Sequence, residues 1–455
     1  MTTLVLKESS PLLAGFDDLT AYFAQGEKPP EQWKMGAEQE KIAFWADTLS
    51  PPTFEGPRGI ETLLAALRDR FGWEPLTENH RLVSLTRRGA MITLEPGGQL
   101  ELSGIPQDNA HQTLAEVQAH MEELRQVSRE LGLVWLTVSR NPLTPLQDIP
   151  WMPKARYAIM GRYLPQKGDL ALDMMLATAS TQVSLDFSSE ADMAQKLRLA
   201  LAAAPIYTAL TANSPFAHGQ PTGWQSTRAH IWTRTDPDRC GLPHGVFSGD
   251  FGYAAYAAWA RATPMFFIYR QGHLVDLAGL PFGQFMDKGH QGHQATQEDW
   301  LLHLTTLFPD VRLKTYLELR TMDMGPAAQV AACVALTRGL FYAPHILEQA
   351  LHLLRGLDAP QYQPAMEQAA RAGLQGQMLG RPLLHWAKDL VDLAAQGLRH
   401  LNALNPQGQD ESALLAPFQE TLQEERSPAA RLLQAYHGPW HNQVMPLITQ
   451  AEQEM

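Results

Sequence analysis

Met35-Gly-Ala-Glu38-Gln-Glu40-Lys41 sets two glutamates two residues apart within a run of small and apolar residues. Side chains two apart on a β-strand point to the same face. The stretch therefore predicts a strand, over about 33–45, with one acidic face and one face fit for burial. Three other segments carry charge in the same alternating way: Leu94-Glu95-Pro-Gly-Gly-Gln-Leu-Glu101-Leu102, Arg228-Ala-His230-Ile-Trp232 and Leu317-Glu318-Leu-Arg320. Read as strands, they add three glutamates, two arginines and a histidine to that polar face. An antiparallel sheet commonly buries one face and leaves the other wet. Any one of these segments alone reads as an ordinary solvated strand. Together they outline a site for cations and a phosphate.

Charge supplies the reason. Two carboxylates about 4 Å apart repel by roughly 1 kcal/mol in water and roughly 4 kcal/mol at an intermediate dielectric. Converging glutamates must take up protons or bind cations. Oxygen-only ligand sets suit hard ions, and Mg²⁺ favours a few carboxylates plus substrate phosphates. Arginine forks recognise carboxylate and phosphate. This combination is what an ATP-dependent ligase or kinase requires.

The surrounding pattern predicts an α+β protein. Helical spacing marks 58–71 and 109–131, and Ser189 with Asp192 opens a helix running to about Leu210. Strands are expected over 81–94, 99–103, 133–138, 181–187, 226–233, 264–270 and 313–320, with Pro96-Gly97-Gly98 as a turn. Beyond Met322 the periodicity is helical. The expected organisation is one catalytic unit over 1–455, with a sheet-bearing part at 30–325 and a helical section at 326–455 packed on it.

Composition narrows the function classes. The chain has 455 residues, and 45% of them are hydrophobic, enough for a full core. A net charge of −12 argues against nucleic acid and anionic membranes as partners. The two cysteines, Cys240 and Cys333, support neither a disulfide framework nor a thiolate zinc site. The apolar run before Lys7 and Glu8 is too short for a signal peptide, and Leu199–Ala212 is too short and polar to span a bilayer. P-loop, dinucleotide and nucleophile-elbow motifs are missing. His290 and His293 read as a polar loop.

Eight segments in order resemble the glutamate–cysteine ligase family of plant and proteobacterial type. They are Met35–Lys41, Thr93–Gly104, Met152–Tyr157, Leu172–Leu176, Leu185–Met193, Ala212–Phe216, Arg228–Thr233 and Tyr316–Arg320. The resemblance implies a curved antiparallel sheet forming a funnel flanked by helices, similar to the catalytic fold of glutamine synthetase. It implies ligation of the γ-carboxylate of L-glutamate to the amine of L-cysteine through a γ-glutamyl phosphate, the first step of glutathione synthesis. ATP is the co-substrate, with Mg²⁺ (or Mn²⁺) as cofactor. A ligase of the same fold with another amine acceptor is the alternative.

In this reading Glu38, Glu40, Glu95, Glu101 and Glu318 hold metal, and Glu38, Glu318 and Arg320 are catalytic. Arg320 and His230 contact ATP. Arg228 clamps the α-carboxylate of glutamate, with Trp232 shaping the pocket. Arg156, Tyr157, Met175 and Gln182 are further amino-acid contacts. Ser184 stands where plant relatives are expected to carry Asn. Cys240 and Cys333 do not match the plant redox cysteines, so thiol regulation is not expected. The expected location is the cytoplasm, as monomer or homodimer.

Overall fold

The structure is a computed structural model and describes residues 10–454, with side chains described as far as 451. The N-terminal reading around Lys7 and Glu8 lies outside the described residues. Nine strands form the main sheet: β1 (Met35–Trp45), β2 (Glu74–Glu78), β3 (Arg81–Arg87), β4 (Ala90–Leu94), β5 (Leu100–Ser103), β6 (Leu133–Leu136), β7 (Ser180–Leu185), β8 (Val311–Leu313) and β9 (Leu317–Asp323). Their order is β8-β9-β7-β1-β5-β4-β3-β2, with β6 continuing along the far half of β1. All pairings are antiparallel.

The helices that matter here are α1 (Phe16–Ala24), α2 (Ile60–Phe71), α3 (Ala110–Leu131), α4 (Ala155–Tyr163), α5 (Ala171–Ala177), α6 (Glu190–Thr211), α7 (Thr227–Trp232), α8 (Ala327–Phe341), α9 (Ala359–Ala372) and α10 (Leu383–Leu401).

Alternation in β1 builds both faces of the sheet. Met35 lies opposite Leu185, which lies opposite Leu317. Ala37, Val183 and Leu319 repeat the row one step on. All six are buried and belong to one core with Val330 and Leu336 of α8 and Leu390 of α10. The C-terminal helices thus share the hydrophobic layer behind the sheet. Helix α6 carries buried residues on every side over most of its length, as a central helix must. Its start follows the expected cap, Ser189 Oγ accepting the Asp192 N–H. A second core joins α2 to β3, β4 and β5, and it includes Tyr157, Met160, Met175 and Leu176 from α4 and α5.

Two expected strands need correction. Residues 226–233 form the short helix α7, opened by Ser226 Oγ accepting the Ala229 N–H. A serine cap followed by six helical residues reads as a strand only because Arg228, His230 and Trp232 fall on even spacing. The run expected at 264–270 forms Phe267–Arg270, which pairs only with His273–Asp276 and lies apart from the main sheet. Glu74–Glu78 was not expected: this edge strand buries little, so it lacks an apolar signature.

Among the described residues no single helix is long and apolar enough to cross a membrane; only α8 and the following Pro344–Leu353 together reach that length, with a 95° bend between them.

Candidate active site

Residues opposite one another in register share a face. Glu40 faces Glu101 on β5, and Glu101 faces Thr93 on β4. Glu38 lies between Ser103 and Gln182. Glu318 lies between Ser184 and Arg312. One polar face therefore runs from β8 to β4, opposite the apolar rows.

Placing Glu40 directly across from Glu101 is unfavourable for two like charges, and the surroundings manage the charge in two ways. At Glu40, Oε2 accepts the Ser180 N–H at 2.7 Å, and Gln182 Nε2 approaches Oε1 at 3.4 Å. Burial, reinforced by Glu95 and Glu101, still pushes the Glu40 carboxyl up to about 7. Burial together with Glu101 and Glu318 pushes Glu38 up to about 8. Glu101 accepts a 2.7 Å bond from Thr93 Oγ1, and Ser103 Oγ donates to Glu38 at 3.3 Å.

Glu318 behaves oppositely. Burial would raise it, but Arg312, Lys314 and Arg320 outweigh burial and hold it well below the usual carboxylate range. Arg312 binds it through Nη2 at 2.6 and 2.9 Å, Arg320 at 2.5 Å and Lys314 at 3.4 Å. Arg320 also donates to Gln182 Oε1.

Glu95 sits outside the strands, in the turn before β5. Its carbonyl accepts the Gly98 N–H at 3.0 Å. Gly97 is required by close approach: a Cβ there would lie 2.1 Å from the Leu176 carbonyl oxygen of α5. Among the described residues no group of three or more His, Cys, Asp or Glu stands in a metal-binding arrangement. The carboxylates share a face and a field, and hydrogen bonds and cations hold them in their present poses.

Beside the acidic face lies a cavity of about 310 Å³ whose lining includes Arg228, Trp232, Arg320, Asp310, Cys240 and Met366. Because α7 is a helix, Arg228 and Trp232 are one turn apart and both reach this cavity. Arg228 Nη2 donates to the Arg320 carbonyl at 2.6 Å, and its Nη1 lies 3.9 Å from Asp323. Asp323 is itself held by the Asn213 N–H and the hydroxyls of Ser214 and Ser226, each at 2.8 Å. Both guanidinium groups lie near the Trp232 ring, at 5.9 and 5.8 Å.

The other expected contacts fall elsewhere. His230 projects away from the cavity and stacks on Trp224 at 4.0 Å, as its place half a turn from Arg228 dictates. Tyr157 and Met175 are each 2% exposed and pack in the second core. The Tyr157 hydroxyl donates to the Leu94 carbonyl, so it braces the end of β4. Arg156 is half-buried at the start of α4. Gln182, expected as an amino-acid contact, lies between Glu40 and Arg320.

Sequence reasoning missed Arg312, Lys314, Asp310 and Tyr362. Arg312 and Lys314 alternate just as Glu318 and Arg320 do, and that period was the available signal. Tyr362 lies in the C-terminal helices and had no signal at all.

Residues 34–450 match the model of glutamate–cysteine ligase family 2. The chloroplastic glutamate–cysteine ligase of Nicotiana tabacum is 41% identical over 435 residues, 95% of this chain and 82% of that protein. The Arabidopsis thaliana enzyme is 40% identical with the same coverage. In fold, the chain is similar to the crystal structure of glutamate–cysteine ligase from Francisella tularensis in complex with AMP, with a TM-score of 0.52 and 14% identity over 93% of this chain and 88% of that one. The cytoplasmic location expected above is overturned by the plant relatives, which are themselves chloroplastic enzymes. Sparse cysteines and a missing apolar span fit either compartment, so neither was evidence for the cytoplasm. The fold, the register of its acidic face and a match across nearly the whole chain place this protein in glutamate–cysteine ligase family 2.

Proposed function

We propose that the chain carries out ATP-dependent ligation of the γ-carboxylate of L-glutamate to the amine of L-cysteine, forming γ-glutamylcysteine, with its chemistry on the polar face of the sheet. The observation that carries this reading is the Glu40–Glu101 pair, in register on the same face as Gln182, Arg320 and Glu318 and next to the cavity holding Arg228.

An unactivated carboxylate is a poor acyl donor, and phosphoryl transfer depends on positioning and charge neutralisation. Arg228 offers its guanidinium to the α-carboxylate of glutamate, with Trp232 packed beside it. Arg320 is aligned by Gln182 and Glu318 to steady the transferring phosphoryl group. The residues fit a hard divalent cation: Glu38 and Glu40 retain protons near neutral pH because burial, reinforced by acidic neighbours, raises their pKa, and a metal would replace those protons. Mg²⁺ (or Mn²⁺), when bound, would neutralise charge on the triphosphate and the γ-carboxylate. Glu38, Glu40, Glu95 and Glu101 are the donors we assign to it. Glu318 already answers three cations, so its main task is to aim Arg320; it would reach a metal only by loosening Arg320 or Lys314. We read the whole of 1–455 as one catalytic unit, because the sheet and the C-terminal helices share a core.

The test is ADP release in a coupled assay. Release should require glutamate, cysteine and Mg²⁺ together. Equal release without any amine acceptor would refute the ligase reading.

A further inference from the structure

The ligation needs a group that nothing above supplies. At neutral pH the acceptor amine is an ammonium ion with no lone pair, so it cannot attack a carbonyl carbon until it loses a proton. Two aspartates line the cavity beside Arg228 and Arg320: Asp236, whose carboxylate is buried and bound by Arg239 Nε at 2.7 Å, and Asp310, which has no such ion pair and stays open to the cavity.

Asp310 is fixed from three directions. Its N–H donates to the Gly241 carbonyl at 3.0 Å, and its carbonyl accepts the Arg320 N–H at 3.0 Å. Its Oδ2 accepts a 2.6 Å bond from the hydroxyl of Tyr362, a buried residue of α9. The residue is only half-buried, so the carboxylate meets the cavity. Arg228 from α7, Arg320 from β9, Tyr362 from α9 and the Cys240 thiol are the charged and titratable groups around it, and Asp236, paired with Arg239, shares the cavity wall. Burial raises its pKa, against the pull of Tyr362, Arg228 and Arg320.

We propose that Asp310 is the general base that receives the proton of the acceptor ammonium, and that Tyr362 positions it. The inference rests on the ligase reading above. The ammonium gives one proton to a carboxylate oxygen of Asp310. The freed lone pair forms the N–C bond at the γ-carbonyl carbon, and the C–O bond to phosphate breaks, with phosphate taking the electron pair. The second nitrogen proton leaves with the phosphate, and the product is the neutral amide. In this arrangement the C-terminal helices complete the site, through Tyr362 to Asp310 and through Met366 on the cavity wall.

The experiment compares two acceptors in the full-length protein. Hydroxylamine is unprotonated at neutral pH and needs no base, whereas cysteine does. In Asp310→Asn, turnover with cysteine should fall by about 10²–10⁴-fold, the usual worth of a general base. Formation of γ-glutamyl hydroxamate should fall by less than about ten-fold. A parallel loss with both acceptors, or a raised KM for glutamate, would overturn the proposal and make Asp310 a holder of glutamate or of the fold. Unchanged turnover with cysteine would overturn it as well. Tyr362→Phe provides a second route: loss of the donated bond disfavours the carboxylate, so the acidic limb of kcat with cysteine should move to higher pH. An unmoved limb contradicts the positioning role. Wild-type protein that fails to ligate cysteine would sink the ligase reading instead, so the two failures are distinguishable.

Discussion

Adding Mg²⁺ at pH 7.5 should release about one proton per chain. A carboxyl titrating at about 8, as Glu38 does, is about three-quarters protonated at that pH, and one at about 7, as Glu40 is, about one-quarter. Metal ligation requires both to be ionised. At pH 9 the same reasoning leaves only about one-tenth of a proton in total to release. Calorimetry in buffers of differing ionisation enthalpy counts these protons directly. Glu38→Gln should reduce the count at pH 7.5 to about one-quarter, the share left to Glu40. Stability carries the same sign. Both pKa values are raised above the unfolded value of 4.5, so the stability they contribute in metal-free protein is lost as pH rises toward 8. Mg²⁺ should restore it. A proton count near zero at pH 7.5, or one that does not change between pH 7.5 and 9, would refute the assignment of these two glutamates to the metal.

Three other outcomes follow from particular contacts. Arg228→Lys should raise the KM for glutamate roughly 10–100-fold, because a point charge cannot replace a fork worth about 1.5–3 kcal/mol in charged hydrogen bonds; an unchanged KM removes Arg228 from the pocket. Glu318→Gln leaves the buried Arg312 without its carboxylate, a loss of about 3–5 kcal/mol of stability that a denaturant titration reads, and a change below about 1 kcal/mol would contradict the ion-pair role. His303 is buried with its Nε2 on the Ala260 carbonyl at 2.8 Å, and burial holds it down at about 3. The unfolded chain takes up that proton below pH 6.5, so stability should drop as pH falls from 6.5 toward 3, by up to about 1.4 kcal/mol per pH unit; His303→Gln should flatten that slope, and an unaltered slope would rule His303 out as its source.

The acidic face was legible because alternation in a half-buried strand is a strong local signal. Glu38, Glu40, Glu101, Glu318 and Arg320 each follow it, and the register brings them to one side. The same rule failed at Arg228–Trp232, where a serine cap and six helical residues produce even spacing without a strand. Arg228 and Trp232 still reach the cavity, because four residues make one helical turn, whereas His230 is carried off it. Tyr157 and Met175 were expected as substrate contacts and pack instead behind the turn at Pro96-Gly97-Gly98. Sequence gives their apolar character and not which side of the wall they occupy. Asp310 and Tyr362 could not be paired in advance, since 52 residues separate them and only the docking of α9 joins them.

The most direct test of the chemistry assigned to this face follows oxygen. With ¹⁸O in the γ-carboxylate of glutamate, activation by phosphoryl transfer moves one labelled oxygen into the phosphate released when γ-glutamylcysteine forms. The account expects one ¹⁸O per phosphate in the presence of ATP, Mg²⁺ and cysteine. Phosphate that carries no label, from a reaction that still yields the dipeptide, would contradict it.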